Sequence, residues 1–202
     1  MDRLSGIHQQ ARLSDSALVG RILNGETELF RLVAERYAER MMRMVGRLVP
    51  SKEDAEEVTQ DALLEAYKSL SRFDEKQASL PTWLLRIAYH MALKHYRKRL
   101  KTVPLVETRQ DWLNNMSDEE ADELLADTSS DRLSLLEKAT EMLKPDDRML
   151  LSLYYFDGYS IKEISSITGH DGGYLRSRLQ WIRKKLAATI KLLEKNGEQE
   201  TI

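Results

Sequence analysis

The residues able to do chemistry in this chain are sorted by sign along the sequence. Between Tyr174 and Lys191 stand Arg176, Arg178, Arg183, Lys184, Lys185 and Lys191, with no acid among them. Just upstream, Ser160-Ile161-Lys162-Glu163 can close a capping box, and Gly169-His170-Asp171 can turn the chain. Asp171 can then cap the helix that carries the cations. A short capped helix, a turn and a basic helix form the helix-turn-helix layout, whose second helix presents its N-terminal residues to the major groove. Arg176, Ser177 and Gln180 are the base-facing candidates, since arginine can bind guanine bidentately and glutamine adenine. Arg178, Arg183 and Lys184 suit phosphates or a solvated face. A basic surface helix in a three-helix bundle is the plainer alternative. The agreement of cap, turn and charge favours helix-turn-helix.

A second basic stretch runs from Arg86 to Lys101. Lys94, Arg97, Lys98, Arg99 and Lys101 are interleaved with His90, His95 and Tyr96, and Trp83 and Tyr89 precede them. Cations with aromatic rings suit single-stranded nucleic acid, whose unpaired bases stack on such rings. A solvated helix end, where the dipole favours cations, explains the same residues equally well. A third constellation is acidic. Asp54, Glu57, Asp61 and Glu65, with Gln60 beside them, recur at three- and four-residue spacing and fall on one helix face. Such a stripe repels itself. It is either simply solvated or held for a basic protein partner.

Familiar catalytic patterns are absent. The sequence has no Walker loop, no G-x-S-x-G and no H-E-x-x-H. With no cysteine there is no disulfide framework, no Cys-based zinc site and no thiol nucleophile. His90 and His95 are five residues apart and do not share a helix face, so no metal pair is expected. No cofactor is expected either. The chain has 202 residues, enough for one domain or two small ones. Nine glycines and four prolines leave few turns, which suits helices. No apolar run reaches the roughly 18 residues of a membrane span, and no signal-peptide block opens the chain. The expectation is a soluble, intracellular, all-α protein.

The elements that must position these residues follow from apolar periodicity. Ser14 caps a first helix that Gly25 ends. A long pattern from about Thr27 to Val49 sets Val33, Met41, Met44, Val45 and Leu48 on one side, with Leu29, Phe30 and Tyr37. Ser51 opens a helix to about Leu70 that buries Ala55, Val58, Ala62, Ala66 and Tyr67. A loop from Arg72 to Leu80 leads to a helix begun by Pro81 and running to about Leu100. Residues 102–130 read as an extended acidic linker, with Trp112 and Leu113 able to dock. Helices resume with Leu133, Leu136, Ala139 and Leu143 on one face. Pro145 starts the next, where Asp146 and Asp147 favour its N-terminal dipole. By charge, residues 1–100 carry a net +3, residues 101–131 a net −7 and residues 132–202 a net +2. Two small helical domains, 14–101 and 131–195, are thus joined by a flexible acidic linker over 102–130.

Taken in order, these motifs resemble the extracytoplasmic-function (ECF) sigma factors of bacterial RNA polymerase. Asp54-Ala55-Glu56-Glu57-Val58-Thr59-Gln60-Asp61 resembles a run of region 2, as does Pro81-Thr82-Trp83-Leu84-Leu85-Arg86-Ile87-Ala88. Leu143-Lys144-Pro145-Asp146-Asp147-Arg148, followed by Tyr159-Ser160-Ile161-Lys162-Glu163-Ile164, resembles region 4. The resemblance spans about Ser14 to Leu192. It implies a cytoplasmic transcription-initiation subunit with no enzymatic activity of its own, which directs core polymerase to promoters and helps open DNA. It places Asp54, Glu57, Gln60 and Asp61 against the polymerase clamp. Trp83, Arg86, His90, Lys94 and Arg97, with the loop 72–80, would face the single-stranded −10 element. Arg176, Ser177, Arg178, Gln180, Arg183 and Lys184 would meet the −35 duplex, and the second domain would also bind the polymerase flap. The acidic linker would thread the RNA channel. An anti-sigma protein clamping the two domains is the implied regulator. His90 stands where the family usually has Asn, Lys94 where it often has Asp, and Trp181 where it commonly has Arg. Gly172-Gly173 opens the recognition helix. A palindrome-binding helix-turn-helix dimer leaves the acidic stripe and linker unexplained, and a helical enzyme using scattered carboxylates lacks a defensible pair.

Overall fold

A computed structural model describes residues 13–100, 116–126 and 129–199 of the chain. Every element among them is helical. These described residues form two compact units, one holding 13–100 with Ser166–Gly169, the other the remaining described residues from 116 onward.

In the first unit α1 spans Asp15–Leu23, α2 Phe30–Leu48, α3 Lys52–Ser69 and α4 Leu80–Leu100. Ser14 caps α1 by accepting from the Ala17 amide at 3.3 Å, and Gly25 follows the helix at φ 107°, a conformation glycine adopts without cost. Tyr37 donates to Asp15 Oδ2 at 2.6 Å while Arg36 pairs with Oδ1 at 3.1 Å, which ties α1 to α2. Burial and then Asp15 push the Tyr37 hydroxyl up to about 12. Ser51 accepts from the Asp54 amide at 3.2 Å and starts α3. The bundle of α2, α3 and α4 buries Met41, Met44 and Leu48 from α2 and Leu84, Leu85 and Ala88 from α4. The central contribution of α3 is Ala55, Ala62 and Ala66, small side chains that let the neighbouring helices approach closely. Tyr67, expected in the core, is instead 40% exposed and sets its ring edge-on to Phe30 at 5.1 Å.

The second unit departs from expectation at its start. Part of the segment read as an extended linker is a helix, α5, over Asp118–Ala126. Its buried Ala121 packs with Met116 and Ala187, flanked by Leu124, Leu125 and Ala188. Trp112 and Leu113 lie outside the described residues. Helix α6 spans Ser130–Glu141 and α7 Pro145–Leu151, continued by a wide π turn over Ser152–Phe156. Leu133, expected on the apolar face of α6, is 51% exposed. Gly158, at φ 69°, releases the chain toward α8, Ile161–Thr168. The predicted capping box is present, with the Ser160 amide donating to Glu163 Oε2 at 2.9 Å and the Glu163 amide donating to Ser160 Oγ at 3.3 Å. Helix α9, Gly172–Gln199, is the spine on which α5, α6 and α7 pack.

Candidate nucleic-acid and protein interfaces

The α4 candidates form one row. Trp83, Arg86, His90, Lys94 and Arg97 recur at steps of three and four, so a helix sets them along one side. Leu84, Leu85, Ala88 and Ala92 take the buried side, leaving Arg86, His90, Lys94 and Arg97 exposed and Trp83 half-buried. The indole does not float. Its ring packs on Phe73 of the preceding loop at 5.5 Å and 59°. The loop is braced in turn, because Ser79 Oγ accepts from the Thr82 amide at 3.4 Å and shares a hydroxyl hydrogen bond of 2.9 Å with Thr82. Phe73 escaped the sequence reading, although an aromatic ten residues before a tryptophan could have drawn attention to it.

The α3 acids divide. Glu57, Gln60 and Asp61 are exposed, as is Glu65. Asp54 is half-buried, and its carboxylate faces Nε2 of His95 on α4 at 4.0 Å. Asp54 is therefore the least accessible of the four acids, and the exposed part of the stripe lies in Glu57, Asp61 and Glu65.

On α9 the recognition candidates have three different environments. Arg176 and Ser177 are exposed near the helix start. Arg178 is engaged inward: Nε and Nη2 bind the two carboxylate oxygens of Asp147 at 2.7 and 2.9 Å, and Asp147 is buried at the start of α7. The guanidinium also lies 4.0 Å over the Trp181 ring, which Lys185 approaches at 5.1 Å. Asp147, read as a dipole acid, is the partner that holds α9 on α7, and Trp181 supplies the stacking face. Gln180, Arg183 and Lys184 meet α5. Gln180 and Lys184 contact Asp118, the latter at 3.0 Å, and Arg183 pairs with Asp122.

The glycine pair at the start of α9 has a local reason. Asp171 Oδ1 accepts from the amides of Gly173 at 2.7 Å and Tyr174 at 3.2 Å. A Cβ at Gly173 would lie 2.9 Å from that oxygen, and one at Gly172 would lie 3.3 Å from Ile161. The Tyr174 and Gly173 amides hold the Asp171 carboxyl below the usual carboxylate range. A depressed folded pKa means the cap stabilises above the ordinary carboxylate pKa and is lost as pH falls through the folded value. Asp171→Asn keeps a capping acceptor but binds no proton. The melting temperature of the wild type is expected to fall more steeply than that of the variant between about pH 5 and about pH 2. Parallel melting curves would remove Asp171 from the linkage.

The second unit also bears an apolar groove of about 800 Å³, lined by Leu125, Leu133, Leu136, Leu151, Tyr155 and Phe156 among others. The π turn aims Tyr154, Tyr155 and Phe156 outward, and Phe156 is 76% exposed. These rings stand in one stretch with Leu150, Leu151 and Leu153, and nothing in that spacing marks the turn that exposes them. Among the described residues there is no group of three or more metal-ligating side chains, and no helix is long and apolar enough to cross a membrane.

Comparison with known proteins adds an independent line. Residues 33–102 match the Sigma-70 region 2 family and residues 133–186 the Sigma-70 region 4 family. The ECF RNA polymerase sigma-E factor of Escherichia coli K12 is 30% identical over 175 residues, covering 83% of this chain and 90% of the relative. The RNA polymerase sigma-H factor of Pseudomonas aeruginosa is 27% identical over 187 residues, covering 89% and 95%. Among solved structures, the sigma factor RpoE of Bartonella quintana, crystallised with the anti-sigma factor NepR, has a TM-score of 0.56 at 21% identity, covering 80% of this chain and 96% of that one. CnrH in complex with the cytosolic domain of CnrY has a TM-score of 0.58 at 20% identity, covering 88% and 96%. Both share the fold.

Proposed function

The chain belongs to the ECF sigma factors, which direct core RNA polymerase to promoters, and on that premise we propose how its residues divide the work. Residues 14–101 bind the polymerase clamp and read the melted −10 element. Residues 131–195 bind the −35 duplex and the flap. On α3, Glu57, Gln60 and Asp61 meet basic residues of the clamp, with Asp54 at the edge of that contact. On α4, Trp83 stacks an unpaired base, and Arg86, His90, Lys94 and Arg97 follow the strand. On α9, Arg176 and Ser177 approach base edges, Gln180, Arg183 and Lys184 serve the duplex, and Arg178 positions the helix through Asp147. The apolar groove beside Tyr155 and Phe156 takes an apolar segment of the flap. The row of five on α4 carries this reading. It puts a ring and four basic or imidazole groups on one accessible face, as stacking with backbone tracking requires.

The protein acts in the cytoplasm as a subunit without catalysis of its own, and an anti-sigma protein regulates it. The sigma factor RpoE of Bartonella quintana, which shares the fold and was crystallised with the anti-sigma factor NepR, supports that last point. The test is a pull-down of core RNA polymerase followed by run-off transcription from a genomic promoter library. Wild type should bind core and start at discrete promoters. A Glu57→Arg/Asp61→Arg variant, altered only at exposed positions, should keep its melting temperature and lose core binding by at least about tenfold. A protein that ignores core polymerase yet shifts duplex DNA alone would instead be a free-standing helix-turn-helix regulator.

A further inference from the structure

The acidic helix α5 sits on Gln180, Arg183 and Lys184, which are assigned to DNA, and on the neighbouring Lys191. Asp118 pairs with Lys184 and accepts from Gln180, Asp122 pairs with Arg183, and Glu120 pairs with Lys191. Lys184 and then Gln180 hold the Asp118 carboxyl below its usual range, and Lys191 does the same for Glu120. Between the charged flanks the contact is apolar, with Met116, Ala121, Leu124 and Leu125 against Ala187 and Ala188. Arg176 and Ser177 are not among the residues α5 engages.

Three observations say this cover is held loosely. Helix α5 is nine residues long, below the length at which an isolated helix persists in water. The side chains in its ion pairs are 25–51% exposed, and pairs so placed are screened and individually weak. Its central buried side chains are alanines. Duplex DNA, with one negative charge per about 1.7 Å of axis, offers the same cations a denser partner.

We propose that α5 is a displaceable mask: in the free chain its carboxylates occupy Gln180, Arg183, Lys184 and Lys191, and the duplex backbone can take these residues only when α5 lifts away. The mask rests on the −35 assignment of α9. Its consequence is that the free chain binds DNA more weakly than its recognition helix allows, by the fraction of molecules with the mask open. Anything that draws the connector off α9 restores the difference.

The test is fluorescence anisotropy with a labelled random-sequence duplex at about 0.1 M salt, using the full chain. Asp118→Asn/Glu120→Gln/Asp122→Asn should bind about tenfold tighter or more. Its log affinity should fall more steeply with log salt, by about 2 to 3 units of slope, as three further phosphate contacts form. A control with the same charge change, Glu119→Gln/Glu123→Gln/Glu137→Gln, should gain far less. Ala121→Glu puts a carboxylate into the α5–α9 contact and undocks the helix, so affinity should rise although the chain becomes more negative. The mask is overturned if the triple variant merely equals its control, or if Ala121→Glu weakens binding. Arg176→Ala in the triple background, measured on a duplex carrying the −35 element of a promoter recovered with the wild type, separates the two readings. If it weakens binding while triple and control agree, the −35 assignment stands and the mask falls. If it changes nothing, the −35 assignment itself falls, and the mask with it.

Discussion

Trp83→Ala is expected to leave core polymerase binding intact and to cut formation of the open promoter complex by about ten- to a hundredfold. The measurement is permanganate reactivity of thymines around the start site, on a promoter recovered with the wild type. Stacking of one base on an aromatic ring is worth about 1–3 kcal/mol, and each 1.4 kcal/mol is about a factor of ten. The ring is a prepared platform because Phe73 already packs against it. Trp83→Phe keeps a ring and should retain most of the activity. Phe73→Ala should show a smaller loss than Trp83→Ala, since the stacking face remains but its angle is no longer held. The competing explanation is structural, as the indole is half-buried. That explanation requires the melting temperature and core binding to fall together with opening. Loss of opening at unchanged core binding excludes it, and unchanged opening in Trp83→Ala would remove the residue from the strand contact.

The legibility of these parts in the sequence has a physical pattern. The row on α4 was readable because spacing alone decides which side of a helix a residue occupies, and the buried side is marked by leucine and alanine. The caps at Ser14, Ser51, Ser160 and Asp171 were readable because each acts within three residues. Helix α5 was not, since seven net negative charges in its neighbourhood argue for an extended chain. What offsets their repulsion is Arg183, Lys184 and Lys191, some sixty to seventy residues away in sequence. A local signal did exist: Ser117 with Glu120 three residues on, before Ala121, Leu124 and Leu125 at helical spacing. Ser117 Oγ does accept from the Glu120 amide, at 3.1 Å. Arg178 shows the same limit. Nothing near it separates it from Arg176, and only Asp147, 31 residues earlier, turns it inward.

That inward turn carries a large stability effect, confined to the second unit. Asp147→Ala is expected to destabilise this unit by about 2–3 kcal/mol, read by urea unfolding from Trp181 emission in a Trp83→Phe/Trp112→Phe background. Breaking a buried ion pair costs about 3–5 kcal/mol, and the exposed fraction of Arg178, 29% of its side chain, lowers that figure because the freed guanidinium can reach water. Asp147 cannot do likewise, with 3% of its side chain exposed, so Arg178→Met should cost at least as much as Asp147→Ala. Lys185 adds to the Asp147 cost. Burial pushes its ammonium pKa down and Asp147 opposes that shift, so removing the carboxylate leaves a buried cation less compensated. Combining Asp147→Leu with Arg178→Met removes both charges and should recover most of the loss, because a matched apolar pair avoids desolvation altogether. The cycle should give a coupling of at least about 1.5 kcal/mol, whereas independent sites add to within about 0.5 kcal/mol. Additive losses would mean that Arg178 is not held by Asp147 in solution and is free for phosphate. A coupled pair means that Arg178 holds the orientation of α9 through Asp147, and the reading proposed above then leaves base contact to the exposed Arg176 and Ser177.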